Sequence, residues 1–204
     1  MQLTVTTFLT IDGVYQGPGG PDEDRSGGFD RGGWLAPHFD ETGGRFMNEV
    51  FGRVDAFLLG RRTYDIFAGY WPHHADPDDP IANSLNTLPK YVASTTLTDP
   101  KWANTTVLGG DVVAAVRQLK ERDGRELQVH GSGALVRFLL EHDLVDRLNL
   151  LVFPVIVGAG KRLFPDQGKA TGLALESSRS TPSGVIISVY RPTGRAQFGT
   201  VGEG

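Results

Sequence analysis

One junction restricts this chain more than any other stretch. Residues 126–130, ELQVH, have the character of a buried strand, Gly131-Ser132-Gly133 follows at once, and 134–142, ALVRFLLEH, is the most apolar helical pattern in the sequence. A turn that only reverses direction accepts many residue types. Two glycines around a serine at a helix start indicate that something approaches the backbone closely, because a residue without Cβ leaves room and adopts conformations that others avoid. A strand that feeds straight into a helix is also the elementary step of an α/β fold.

The step recurs along the chain. LTVTTF (3–8), DAFLLG (55–60), KYVAST (90–95), TTVL (105–108), ELQVHG (126–131) and DRLNLLVFPVIVG (146–158) read as strands, the middle ones apolar enough for burial on both faces. Between them, Phe46, Val50 and Val54 recur at helical spacing within 40–54. Val112, Val116 and Leu119 do so within 111–122, behind the capping-type residue Asp111. LALESSRS (173–180) and VIISVYR (185–191), joined across TPSG, read as an antiparallel hairpin. The expectation is one α/β domain over residues 1–192 with a mixed sheet, followed by a flexible tail over 193–204.

Composition removes several function classes. With 39% hydrophobic and 22% charged residues the chain has the makeup of a soluble globular protein. A net charge of −4 leaves no basic excess for a general nucleic-acid binder. There is no cysteine, so disulfides and thiolate chemistry are out. The N-terminal residues lack a signal-peptide pattern and no apolar run reaches membrane-spanning length, so the expectation is a cytoplasmic protein with no membrane partner.

Some motifs fail on inspection. VGAGKRLF (157–164) has a glycine–lysine pair, but Val155 and Arg162 stand where a phosphate loop needs glycine and Ser or Thr. Asp22, Asp24 and Ser26 imitate half a calcium loop, yet Gly33 occupies the glutamate position, and a mobile acidic loop is expected there instead. His73 and His74 sit among prolines and aspartates without the spacing that aims two imidazoles at one metal, so no metal site is assigned. Ser132 fails the nucleophile-elbow pattern, since His130 and Ala134 stand where its glycines should be.

Three strand ends survive. LLGRRTY (58–64) ends a strand at Gly60 and opens a helix on Arg61, Arg62 and Thr63; YVASTT (91–96) ends in the hydroxyls of Ser94 and Thr95; the third is the opening strand. Ligands of open α/β sheets bind beyond the carboxyl ends of strands, and phosphates favour helix N-termini. Arginine is a forked donor that stays charged and suits a phosphate.

Taken together, TIDGVYQG (10–17), LLGRRTYDIFAGYWP (58–72), KYVAST (90–95), VHGSGALVRFLL (129–140) and FPVIVGAGKRLFPD (153–166) resemble the dihydrofolate reductase-like superfamily, in the branch of the C-terminal reductase domain of the bacterial riboflavin-biosynthesis deaminase/reductase. The resemblance covers most of the chain. It implies a three-layer α/β fold with a central mixed, mostly parallel sheet and a terminal hairpin, NADPH as cofactor, and a homodimer. Carried over, Gly60, Arg61, Arg62 and Thr63 match the segment that holds the adenosine-side phosphates. Ser94 and Thr95 match the hydroxyls near the 2′-phosphate and adenine, and Gly131, Ser132, Gly133, Ala134 and Leu135 match the glycine-rich seat of the pyrophosphate. On the substrate side, Asp40 is either a substrate anchor or a helix cap, and Asp12 either a nicotinamide-pocket acid or a turn aspartate. Leu151 and Val136 replace the family's threonine and tyrosine near the nicotinamide, which argues against folate reduction. Trp34, Tyr70 and Trp71 either wall a pocket or fill a core or interface.

The expected activity is NADPH-dependent reduction of a C=N or C=O group in a small polar, heterocyclic molecule, with Asp40, Asp12 or a water as proton source. The alternative from another class is a non-catalytic, NADPH-binding dimeric sensor or scaffold. Dimerisation also has an argument of its own: LLVFPVIVG (150–158) is a longer apolar strand than its neighbours can cover.

Overall fold

The computed structural model describes residues 1–164 and 166–202; Pro165 of the 153–166 segment, and Glu203 and Gly204 of the expected tail, lie outside the described residues. The chain runs β1 (Gln2–Thr10), α1 (Glu41–Phe51), β2 (Val54–Gly60), α2 (Arg61–Tyr70), α3 (Pro80–Thr87), β3 (Lys90–Ala93), β4 (Thr105–Leu108), α4 (Val112–Glu121), β5 (Glu126–His130), α5 (Gly133–Glu141), β6 (Arg147–Phe153), β7 (Thr171–Ser180) and β8 (Ile186–Arg195). The eight strands form one sheet in the order β4-β3-β2-β5-β1-β6-β8-β7. The pairings are parallel from β4 through β6, and β8 joins β6 and β7 antiparallel. This is the expected mixed, mostly parallel α/β fold with a terminal hairpin.

Strand alternation creates the layers. Along β2, Phe57 and Leu59 face a core shared with Phe46, Met47, Val50 and Phe51 of α1, whereas Ala56 and Leu58 face Val116 and Leu119 of α4 and Leu135, Val136 and Leu139 of α5. Successive side chains of a strand point to opposite faces, so a sheet with helices on both sides must be apolar on both. The α1 face also carries a buried polar row. Thr4 and Thr6 of β1 lie beside Gln128 and His130 of β5, and Thr6 lies beside Asn149 of β6, whose Nδ2 donates to Thr6 Oγ1 at 2.9 Å. His130 ends that row.

Three boundaries and one helix differ from the sequence expectation, each for a local reason. β6 stops at Phe153 rather than running to 158, because Pro154 has no N–H for the ladder and Val155 N turns back to Phe153 O at 2.7 Å. Residues 154–158 are therefore not an unmatched strand, and the argument for a partner chain built on them falls. β3 ends at Ala93, where Ser94 Oγ accepts from Thr96 N and Leu97 N and turns the chain. β8 continues to Arg195, paired with Thr171, past the expected boundary at residue 192. Finally, α3 has no counterpart in the sequence reading. Asp79 caps it by accepting from Ile81 N at 2.8 Å with Pro80 at its first position. At its other end the buried Lys90 Nζ donates to Leu85 O and Leu88 O, each at 2.8 Å, and burial pushes that ammonium down to about 8.

Candidate active site

The carboxyl ends of β2, β5 and β1 lie side by side, and a cavity of about 670 Å³ opens above them. That volume is in the range of small-molecule sites. Gly60, Arg61, Arg62, Thr63, Gly131, Ser132, Gly133, Ala134 and Leu135 all line it; Ser94 and Thr95 do not. They stand just past Ala93, the partner of Gly60 across β2 and β3.

Ser132 is the fastening of this edge. It adopts left-handed backbone (φ 52°), its Oγ accepts from Gly60 N at 3.0 Å, and its own N donates to Thr63 Oγ1 at 3.1 Å. Gly131 N donates to Thr6 O at 3.2 Å, so one turn ties the ends of β2 and β5 to the middle of β1. The two glycines have different causes. Gly131 has φ +60°, a conformation that L side chains rarely adopt, while only Thr63 lies within 4 Å of an added Cβ. Gly133 is packed under Tyr15, whose ring would be 2.4 Å from a Cβ there. The expectation that both glycines make room for a ligand is thus corrected: the second makes room for a tyrosine of the same chain.

Four cations line the cavity: Arg61, Arg62, Arg137 and Lys161. Arg61 Nε holds both oxygens of Asp65 at 2.9 Å along the exposed helix face, and its Nη1 reaches Thr96 Oγ1 at 3.3 Å. Arg62 Nη1 donates to Asp24 Oδ1 at 2.9 Å, and Lys161 Nζ to Asp24 Oδ2 at 2.8 Å. Burial raises the Asp24 carboxyl, but the bonds from Lys161 and Ser26 outweigh it and bring the group down to about 2. Gln16 Nε2 holds the carbonyls of Asp24 and Ser26 at 3.0 and 2.9 Å. The loop expected to be mobile is instead pinned, and forms a wall of the cavity. Neither Asp24 nor Lys161 was assigned to the site from sequence. They lie 137 residues apart, and the local patterns they belong to, half a calcium loop and a glycine–lysine pair, do not point to each other.

Neither expected proton carrier lines the cavity. Asp40 is the N-cap of α1: Oδ1 accepts from Gly43 N and Oδ2 from Ser183 N, both at 3.0 Å, which lowers its carboxyl from the ordinary value. Burial pushes the Asp12 carboxyl up, but bonds from Thr10 Oγ1, Gly158 N and Val157 N leave it below its ordinary value, and it serves the turn after β1. The lining carboxylates are Glu23 and Asp24. Glu23 is raised, chiefly by burial, partly offset by the N–H groups of Gly19 and Gly20.

The other half of the cavity is aromatic. Phe8, Phe39, Phe67 and Trp71 line it together with His130. Of the three aromatic candidates, Trp71 walls the pocket. Trp34 is buried with its Nε1 on Gln16 O at 2.9 Å, and Tyr70 is exposed with His74 stacked on it. Leu151 and Val136 are buried in the two cores.

The model of the RibD C-terminal domain family matches residues 1–187. The chain belongs to that family. Among curated proteins it is 27% identical to Bacillus subtilis YyaP over 188 residues, covering 91% of this chain and 92% of that one. It is 23% identical to Bacillus subtilis YwjB over 158 residues, covering 78% and 85%. Solved structures share the fold. A Shewanella sp. PV-4 protein assigned to riboflavin biosynthesis is 22% identical, with a TM-score of 0.71 over 95% of this chain and 99% of that one. A pyrimidine reductase-like protein of Corynebacterium diphtheriae is 18% identical, with a TM-score of 0.61 over 94% and 91%. The bifunctional pyrimidine deaminase/reductase of Thermotoga maritima is 14% identical, with a TM-score of 0.63 over 94% of this chain and 56% of that one. Membership places the chain among reductase-like proteins of the dihydrofolate reductase-like fold. Among the described residues no helix is long and apolar enough to cross a membrane.

Proposed function

We propose that this RibD C-terminal domain protein is a reductase that passes hydride from NADPH to a C=N or C=O group of a small, polar, heterocyclic substrate. The observation that carries the reading is the convergence of two helix starts, Arg61 of α2 and Gly133 of α5, with Arg62 and Lys161 on one cavity at the carboxyl ends of parallel strands. Helix N-termini carry unpaired N–H groups and partial positive charge suited to phosphates, and open α/β sheets bind dinucleotides at this edge. The residues fit NADPH: Gly131 offers backbone to the cavity with little beside it. Residues 60–63 and 131–135 would hold the phosphates, with Ser94 and Thr95 at the adenosine end. Bound NADPH supplies the hydride. The pyrimidine reductases among the structural relatives support a ring substrate. The direct test follows NADPH absorbance against aldehydes, imines and pyrimidine ribityl compounds. Tight NADPH binding without turnover would favour a sensor or scaffold, and failure to bind NADPH would refute both.

Arg61 is the arginine free to take the 2′-phosphate. Its exposed pair with Asp65 contributes about 0.3–0.5 kcal/mol, whereas a charge-assisted bond to phosphate contributes about 1.5–3 kcal/mol. Arg62, by contrast, is held by the nearly buried Asp24, whose side chain is 9% exposed. Arg61→Ala is expected to weaken NADPH roughly ten- to a hundred-fold and NADH much less, measured in one buffer at fixed salt. Equal losses would remove Arg61 from that role.

Glu23 is the cavity carboxyl suited to bring the proton, since Asp24 is kept ionised and Glu23 is shifted toward its protonated form. Glu23→Gln is expected to lower kcat about a hundred-fold and to flatten the loss of activity seen as pH rises through the Glu23 pKa. An unchanged pH profile would exclude it. Dimerisation now rests on the hairpin, where Leu173, Leu175 and Ile186 are exposed; light scattering is expected to give twice the chain mass, and a monomer mass would count against it.

A further inference from the structure

We propose that the amino end of the sheet carries a second ligand site, a cleft that takes a phosphate group between Arg147 of β6 and Arg191 of β8. It is separate from the candidate active site and does not rest on the reductase reading. Gln2, at the start of β1, lines this cleft, whereas Phe8, near the other end of β1, lines the cavity described above. Six steps along a strand at about 3.3 Å each set the two about 20 Å apart.

The charge pairing of the cleft carries the argument. Its volume is about 480 Å³, and its charged lining is Lys120, Arg147 and Arg191 with Asp146 and Glu176. Lys120 and Asp146 satisfy each other. Lys120 Nζ donates to Asp146 Oδ1 at 2.9 Å and to Leu144 O at 2.8 Å, and Asp146 Oδ2 accepts from Leu3 N at 2.7 Å. The two arginines are left with one carboxylate. β6 and β8 pair antiparallel up to Leu148 with Tyr190, so Arg147 and Arg191 stand one step beyond, opposite each other on the same face. Like charges placed so across two strands repel unless an anion lies between them. Glu176, the extra residue of a bulge between Leu175 and Ser177 of β7, is that anion, and it serves only one of them. Its Oε2 accepts from Arg147 Nε at 3.1 Å, while its Oε1 stays 3.8 Å from Arg191 Nε, beyond hydrogen-bond reach.

The buried Glu126 behind the cleft does not use up Arg147 either. Its Oε1 takes its bond from Arg53 Nε at 2.8 Å, and Arg147 Nη1 remains 3.7 Å away. Among the described residues Arg147 therefore makes one side-chain hydrogen bond and Arg191 makes none. Each guanidinium has five N–H donors in a fixed fork, so most donors of the pair are unspent. Forked donors that stay charged, set on two hydrogen-bonded strands, suit a compact oxyanion with several oxygens, and guanidinium takes phosphate through parallel bonds. With Lys120 and Asp146 cancelling, two guanidinium groups against one carboxylate leave the cleft positive in a chain whose net charge is −4.

The test titrates the full chain with inorganic phosphate and with glycerol 3-phosphate, each against potassium chloride at matched ionic strength, and follows the arginine Nε–Hε resonances by NMR. Arg147→Gln and Arg191→Gln assign the two signals by removing them. Phosphate is expected to shift both saturably, and chloride is not. Arg191→Gln is expected to weaken phosphate, read at Arg147, about ten-fold while the melting temperature holds. Glu176→Gln, which removes the internal anion, is expected to tighten phosphate about two- to five-fold, an outcome that a merely structural role for these side chains would not produce. A matching response to glycerol 3-phosphate assigns the cleft to phosphate esters, and a response to inorganic phosphate alone assigns it to the free ion; each supports the site. Shifts no larger than those in chloride, equal affinity in Arg191→Gln, or unchanged or weakened affinity in Glu176→Gln would each overturn the proposal. Should Arg191→Gln fail to fold, Arg191→Lys serves in its place, since it keeps the charge without the fork and is expected to weaken phosphate several-fold; undiminished affinity there would equally overturn it.

Discussion

Replacing Gly131 with valine is expected to lower the melting temperature by about 4–8 °C and NADPH affinity at least ten-fold. The backbone there has φ +60°, and a β-branched residue in left-handed conformation costs about 2 kcal/mol, which for a chain of this length corresponds to about that shift. The binding loss has a separate cause, because the branched side chain would enter the space above the turn where backbone must meet phosphate. Gly131→Asn separates the two effects. Asparagine tolerates the left-handed region, so stability is expected to return toward wild type while NADPH binding stays weak. Wild-type affinity in Gly131→Asn would show that no phosphate rests on this turn.

Asp24→Asn is expected to alter stability in a pH-dependent way. The folded carboxyl is held near 2 against an ordinary 3.8. A depressed carboxylate contributes stability that is present above the unfolded pKa and is lost as pH falls through the folded one, here between about pH 4 and 2. Allowing for solvent at Arg62, whose side chain is 60% exposed, the contribution at neutral pH is about 1–2 kcal/mol. The asparagine variant should lose that amount at pH 7 and show a flatter acid-unfolding curve below pH 4. It should also bind inorganic pyrophosphate more tightly, since Arg62 and Lys161 lose their internal anion. Superimposable acid-unfolding curves would mean that the clamp contributes nothing to stability.

The sequence made some parts of this molecule legible and hid others. β2 could be read because both its faces are apolar, β5 because Leu127 and Val129 alternate with polar residues at the period of a strand, and α4 and α5 because their apolar residues repeat at helical spacing. α3 was hidden because PIANSLNT is largely polar and its last carbonyls are satisfied by Lys90 from the next strand, a contact that no local pattern announces. In the cavity the contiguous runs 60–63 and 131–135 were found, since each is a strand end turning into a helix. The wall built by Asp24, Lys161 and Gln16 was not, because its parts come from distant segments that individually imitate other motifs. Asp40 shows the converse ambiguity: a carboxylate just ahead of a helix has the same signature as a cap and as an anchor, and its bonds to Gly43 and Ser183 are those of a cap.

The place of β1 in the sheet governs when this molecule can come into being. Within this sheet β1 is synthesised before the other strands, yet it sits between β5 and β6, with Gln2 beside Glu126 and Thr4 beside Arg147. At about 5–20 residues per second, translation leaves that strand without a neighbour for on the order of ten seconds. During that interval QLTVTTFLT is an uncharged, β-branched segment with open edges, the kind that pairs with the wrong chain unless shielded. A ribosome stalled before residue 130 would therefore hold an exposed strand and no cleft, since the three strand ends that frame it meet only after β5 has emerged.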